Sequence, residues 1–199
     1  MKKGKAMGHI DGLRDYLKTA YNFSVFDQAL ETKELWTMHL HGQRVVQASV
    51  LENKQYELVI DIAEQGPEEI HKLQVKCLYP VEYTDAFAKM LKIDKKVQAL
   101  GLEPIYAPAE RYNIKNKTLF PLMQERQVVF CTLMEGELIR GIVGEFSRYD
   151  LTIHAKGGLP VTLLRHGIYD MRNKQGRCML KSFQQQHRDW EKSSLFVTP

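Results

Sequence analysis

The sequence predicts a mainly β chain with short helices, folded as two small β-barrels in tandem, each preceded by a helix. Three observations predict it. Two stretches, Leu35 to Val81 and Val128 to Met171, alternate apolar and polar residues as half-buried strands must. Turn residues cut both into short runs, which suits a small barrel. The two stretches also resemble each other in order, which marks an internal repeat. A length of 199 residues accommodates two such units.

The elements follow in chain order. The N-terminal segment, residues 1–23, starts with the basic run Met1-Lys2-Lys3-Gly4-Lys5, and no apolar core follows as a secretory signal would need. The first repeat spans 24–83, with a helix from about Ser24 to Lys33 leading into its strands. Val46-Gln47-Ala48-Ser49-Val50 lies over Ile139-Arg140-Gly141-Ile142-Val143, and Gln55-Tyr56-Glu57-Leu58-Val59-Ile60 over Arg148-Tyr149-Asp150-Leu151-Thr152-Ile153. Lys76-Cys77-Leu78-Tyr79 is set over His166-Gly167-Ile168-Tyr169. This makes the spacing drift and leaves Gln65-Gly66-Pro67-Glu68-Glu69 as a longer acidic turn. Residues 84–117 form a helical linker. Thr84-Asp85 starts a helix, Phe87, Met90, Leu91, Val97 and Leu100 keep roughly helical spacing, and Gly101 stops it. Glu103-Pro104 through Ala107-Pro108 reads as extended. The second repeat spans 118–175. A helix from about Thr118 to Arg126, with Pro121 in its first turn, leads into the strands Leu138–Val143, Tyr149–His154 and Pro160–Leu164. Residues 176–199 form a basic tail with Leu180, Phe183 and Trp190 as apolar anchors.

Composition narrows the function. Apolar residues make up 44% and charged residues 26%, as in an ordinary folded soluble protein. No apolar run approaches the ~20 residues of a membrane helix. Cys77, Cys131 and Cys178, odd in number and far apart, read as reduced thiols of a cytoplasmic protein. The net charge of +4 is weak, but its distribution is not even. Lys plus Arg against Asp plus Glu is 5 to 3 over residues 1–30, 5 to 9 over 31–83, 6 to 4 over 84–116 and 12 to 8 over 117–199. A polyanion would therefore favour the last stretch over the second. No P-loop, Gly-x-Gly-x-x-Gly, Cys-x-x-Cys, His-Glu-x-x-His or Gly-x-Ser-x-Gly pattern occurs, so the expectation is a non-enzyme without cofactor. His39 and His41 share one strand face, but no further ligands are spaced to complete a metal site.

The second repeat resembles the bacterial RNA chaperone family Hfq, a branch of the Sm-like proteins. The resemblance is carried by Leu119 through Arg126, Gly136-Glu137-Leu138-Ile139-Arg140-Gly141, Phe146-Ser147-Arg148-Tyr149 and Leu164-Arg165-His166-Gly167-Ile168. It covers residues 119–172. The first repeat matches only through its strand pattern and Gln55-Tyr56. The resemblance implies two Sm-like (SH3-like) barrels, each a helix on a strongly bent five-stranded sheet. It also implies edge-to-edge pairing into a ring, here a homotrimer forming a pseudo-hexamer.

The resemblance further implies uridine-rich single-stranded RNA at the inner rim. The matching positions are Tyr149, Arg148, Arg165 and His166, with Gln55, Tyr56 and Lys76 in the first repeat. A tyrosine stacks a base, an arginine forks onto phosphate, and a histidine donates to an oxygen. Each residue also has a packing or solvated-surface role open to it. On the opposite face the family's adenine-reading tyrosine is replaced by Thr132, and Glu135 sits just before Gly136, which puts adenine binding in doubt. Two alternatives stay open: an Sm-like scaffold for protein partners, which the acidic first repeat favours, and an unrelated enzyme on a small barrel.

Overall fold

The computed structural model describes residues 10–180. Helices α1 (Leu13–Ala20) and α2 (Val25–Thr32) precede strands β1 (Trp36–Leu40), β2 (Arg44–Asn53), β3 (Glu57–Ile62), β4 (Gly66–His71) and β5 (Val75–Pro80). A connector carries α3 (Thr84–Met90), β6 (Lys92–Ile93) and α4 (Lys95–Gln98). Helix α5 (Asn116–Gln124) then leads to β7 (Val128–Leu133), β8 (Glu137–Phe146), β9 (Asp150–His154), β10 (Pro160–Leu164) and β11 (Ile168–Asn173). All eleven strands lie in one antiparallel sheet of order β11-β7-β8-β9-β10-β5-β1-β2-β3-β4, with β6 added beside β8.

The two halves repeat at a constant offset of 93 positions, from Arg44–Asn53 to Glu137–Phe146 and from Val75–Pro80 to Ile168–Asn173. The irregularities recur as well. The break in register between Val50 and Glu52 returns between Val143 and Glu145. The break that sets Leu40 opposite Val75 returns where Leu133 faces Ile168. Such bulges bend a strand, so the long β2 and β8 turn through their sheets at the same point. Inward residues alternate along them: Val46, Ala48 and Val50 are buried in β2, and Leu151 and Ile153 in β9. Each half has its own core, and α2 lays Val25, Phe26 and Ala29 on the first. Ser24 accepts the Phe26 amide and Asp150, from the other half, accepts the Val25 amide at 3.0 Å, so two orphan donors at the α2 N-terminus are satisfied.

Several expectations are corrected. The sheet is continuous and open, ending at β4 and β11, and the two halves join within it edge to edge. The spacing does not drift, because Gly66–His71 is strand β4 and not an acidic turn, with Pro67 standing where Pro160 stands in β10. Proline is tolerated there because its missing amide falls at a strand start. The single linker helix is two short helices, broken by Lys92 and Ile93 pairing with Leu138 and Glu137. Helix α5 starts at Asn116, so Pro121 sits inside it. Helix α1, within a stretch read as a bare N-terminal segment, packs Tyr16 on Phe120 and Phe146, and its hydroxyl donates to the Phe146 carbonyl at 2.9 Å. Of the C-terminal anchors, Leu180 is buried, while Phe183 and Trp190 lie outside the described residues.

The halves are fused where β10 pairs with β5, Thr162 opposite Leu78 and Leu163 opposite Cys77. Cys77 and Tyr79 of the first half pack into the second core, and Leu164 of the second half into the first. Beside this pair the backbones close in: a Cβ on Gly167 would lie 2.9 Å from the Lys76 Cα. The equivalent residue of the first half is Gln74, so glycine is demanded only at this internal seam. Gly167→Ala is expected to destabilise the chain by roughly 1–3 kcal/mol, measured by denaturant unfolding, because backbone rather than a flexible side chain must yield.

Candidate functional site

A cleft of about 1440 Å3 opens between the two halves and the connector. Tyr56 and Tyr149 line it, one from each half, and remain 59% and 49% exposed. Each ring sits on a residue just ahead of its strand, held by the same backbone bonds. The Lys72 amide donates to the Tyr56 carbonyl at 2.8 Å, and the Arg165 amide to the Tyr149 carbonyl at 2.9 Å. Lys54 donates to the Glu57 carbonyl at 3.0 Å, and Ser147 to the Asp150 carbonyl at 2.9 Å. Both tyrosines are thus presented by a turn pinned at its two ends. The polar neighbours predicted with them are exposed: the Gln55 amide donates to the Tyr56 hydroxyl at 3.0 Å, and the Arg148 guanidinium lies 5.7 Å from the Tyr149 ring centre.

The other three predicted residues are differently placed. Arg165 lines the cleft, but it donates to the Ile114 carbonyl at 3.2 Å and to Asn116 at 2.9 Å, and lies 5.7 Å from the Phe146 ring centre. It clasps the end of the connector. His166 Nε2 lies 2.8 Å from the Val75 carbonyl across the seam. Burial lowers its pKa to about 4, so near neutrality the ring is uncharged and its N–H donates to that carbonyl. Lys76 is removed from the rim altogether. It is fully buried and paired with Glu135 and Glu137. Glu135 also accepts the Gly42 and Gln43 amides at 2.9 and 3.0 Å. Burial by itself would raise its carboxyl pKa, but the Lys76 bond and these amides outweigh it and bring the value below the usual range. The carboxylate expected to disfavour an anion on that face is instead a fastener between halves.

At the constant offset Lys72, not Lys76, corresponds to Arg165. Its ammonium donates to the carbonyls of Lys54 and Gln55. The connector and the first turn of α5 supply cations that were not singled out: Lys115 and Lys117 are exposed, and Arg111 donates at 2.8 Å to the carbonyls of Ile105 and Tyr106. The signal for Arg111 and Lys115 was the cationic excess over residues 84–116, and for Lys117 the excess over 117–199. Among the described residues the lining holds Lys72, Arg111, Lys115, Lys117, Arg148 and Arg165 against one carboxylate, Asp27. The connector is docked by ring contacts, Tyr106 to His71 at 5.4 Å and Tyr112 to Tyr169 at 5.2 Å between centres.

His39 faces Tyr79, its Nε2 3.0 Å from the hydroxyl. Among the described residues no group of three His, Cys, Asp or Glu side chains is placed to hold a metal ion. Cys77 and Cys131 are buried, and burial pushes both thiols up, away from nucleophilic character. No helix among the described residues is long and apolar enough to cross a membrane. Comparisons with protein-family models, curated proteins and solved structures found no match.

Burial lowers His39 and His166 from an ordinary 6.5 to about 4, with Lys76 adding to the effect at His39. Between these values the unfolded chain binds more protons than the folded one. Stability is therefore complete above about pH 6.5 and is lost as pH falls toward 4. Urea midpoints across this window are expected to decline, and His166→Gln to flatten part of the decline.

Proposed function

We propose that the chain is an Sm-like protein of the Hfq type that binds uridine-rich single-stranded RNA in the cleft, with one base on Tyr56 and one on Tyr149. One observation carries the reading. Two exposed tyrosines in matching backbone settings open onto one cleft with six cationic side chains and a single carboxylate among the described lining. A tyrosine face holds a stacked base for ~1–3 kcal/mol, and lysines beside it neutralise phosphates. Gln55 and Arg148 stand next to the rings, where an amide and a guanidinium can meet base edges. Lys72, Lys115 and Lys117 take the phosphate path. Arg165 and His166 act as positioning residues that hold the connector and the seam.

The like strand orders, β5-β1-β2-β3-β4 and β11-β7-β8-β9-β10, support reading each half as one Sm-like unit. The sheet ends in two edge strands, β4 and β11, which supports self-association, here as a homotrimer with six units in a ring. Adenine reading on the opposite face is not part of the proposal, since Thr132 is buried and Glu135 is engaged. The second reading is a scaffold that seats a protein segment in the same cleft. The internal engagement of Arg165 and His166 favours it.

Fluorescence anisotropy with labelled oligouridine separates the two. The expected result is binding that weakens steeply as salt rises. Tyr56→Ala and Tyr149→Ala are each expected to cost roughly 5- to 100-fold in affinity without loss of fold. Lys115→Ala with Lys117→Ala is expected to shallow the salt dependence by about one unit of slope. Absence of oligouridine binding at low ionic strength removes the RNA reading and leaves the scaffold.

A further inference from the structure

Beyond β11 the chain turns back on itself. Asn173 caps the turn, its side chain accepting the Gln175 and Arg177 amides at 3.0 and 2.9 Å. Cys178 then lies opposite Arg172, and the Met179 amide donates to the Met171 carbonyl at 2.8 Å. This places the returning segment on the outer edge of β11. The corresponding edge of β5 is where β10 docks, Thr162 opposite Leu78. At the constant offset Leu78 corresponds to Met171, so Met179 stands in the place of Thr162, Cys178 in that of Val161 and Leu180 in that of Leu163. The burial agrees. Val161 and Leu163 are buried at the seam, and so are Cys178 and Leu180. The returning segment imitates β10.

The strand that corresponds to β10 in the first half is β4, which ends the sheet. Set on the β11 edge of another copy in the register of the seam, β4 would bring Glu69 opposite Met171 and Glu68 opposite Arg172. Glu68 already holds Arg44 and Arg172 already holds Asp170, so it is the charge of the two stretches as a whole that suits. Residues 31–83 carry 5 basic to 9 acidic side chains, and residues 117–199 carry 12 to 8. We propose that the outer edge of β11 is a docking site for β4 of a second copy of this chain, and that Arg177–Leu180 occupies it in the single chain. Association is then an exchange of one strand for another, not the meeting of two bare edges. This extends the self-association proposed above and does not depend on RNA binding.

The test compares the full chain with Met179→Pro, which removes the amide that donates to Met171, and with a chain ended after Gly176. Light scattering reads the mass, and hydrogen exchange reads residues 66–71. The full chain is expected at the mass of one copy at low micromolar concentration and to approach the trimer proposed above only as concentration rises. Both variants are expected at twice that mass or more, with exchange over residues 66–71 slowed at least tenfold. Adding Glu68→Arg together with Arg44→Glu, which keeps an ion pair within the first half, to either variant is expected to return it to one copy. The proposal is overturned if both variants stay single, or if they assemble with exchange over 66–71 unchanged. It is overturned equally if the full chain assembles with residues 177–180 still protected, or if both variants unfold, since the segment is then a fixed part of the core. Oligouridine binding measured on the same samples is a separate readout: its loss with assembly intact removes only the RNA reading.

Discussion

The pairing of β10 with β5 is the interaction on which the rest of the molecule depends. It is short, with two facing residue pairs, Thr162 with Leu78 and Leu163 with Cys77. Backbone hydrogen bonds alone would make it weak in water, where each group lost to a partner strand is regained from solvent. Its strength comes from what it draws in. Cys77 and Tyr79 enter the far core, Gly167 lets the backbones touch, and Lys76 is locked between Glu135 and Glu137. A buried cation held this way resists loss of either partner, since a lone charge left inside costs roughly 3–5 kcal/mol.

The cleft follows from that seam. Joining the halves edge to edge brings the turn before β3 and the turn before β9 to one side, so two tyrosines 93 positions apart share a space. The connector completes the lining, since it must cross the cleft to reach α5. Arg165 holds its end through the Ile114 carbonyl and Asn116. A residue type associated with phosphate contact is thus spent on architecture. The positive charge of the cleft comes in part from Lys115, at the end of the connector, and Lys117, in the first turn of α5.

Much of the fold was legible in local pattern. Alternation located the strands around Val46 and Leu151, and the blocks at Gln55 and Arg148 already carried the correct offset. The alignment failed at Lys76 because a basic residue was matched to His166 by type. At the constant offset His166 corresponds to Leu73 and Arg165 to Lys72, which follow a strand disguised by Gly66-Pro67. The burial of Lys76 could not be read from sequence, since its partners Glu135 and Glu137 lie 59 and 61 positions away. Helix α1 escaped because it is short and its N-cap, Gly12, offers no side chain to announce it. Tyr56, Tyr149, Gln55 and Arg148 were named through the resemblance alone, and the structure sets all four on the lining of the cleft. The internal bonds of Arg165, to the Ile114 carbonyl and Asn116, and of His166, to the Val75 carbonyl, join residues far apart in the chain and leave no trace in a sequence.

The buried cation has a numerical consequence. Counting on from Lys76 by the repeat gives Tyr169, and counting back from Glu135 gives Gly42, so the lock has no twin. A stranger's strand laid on β5 would leave that ammonium without its two counter-ions. The mates within one chain are therefore permanent, and whatever larger body these chains build grows by couples. Any assembly of whole chains would therefore hold an even number of five-stranded units.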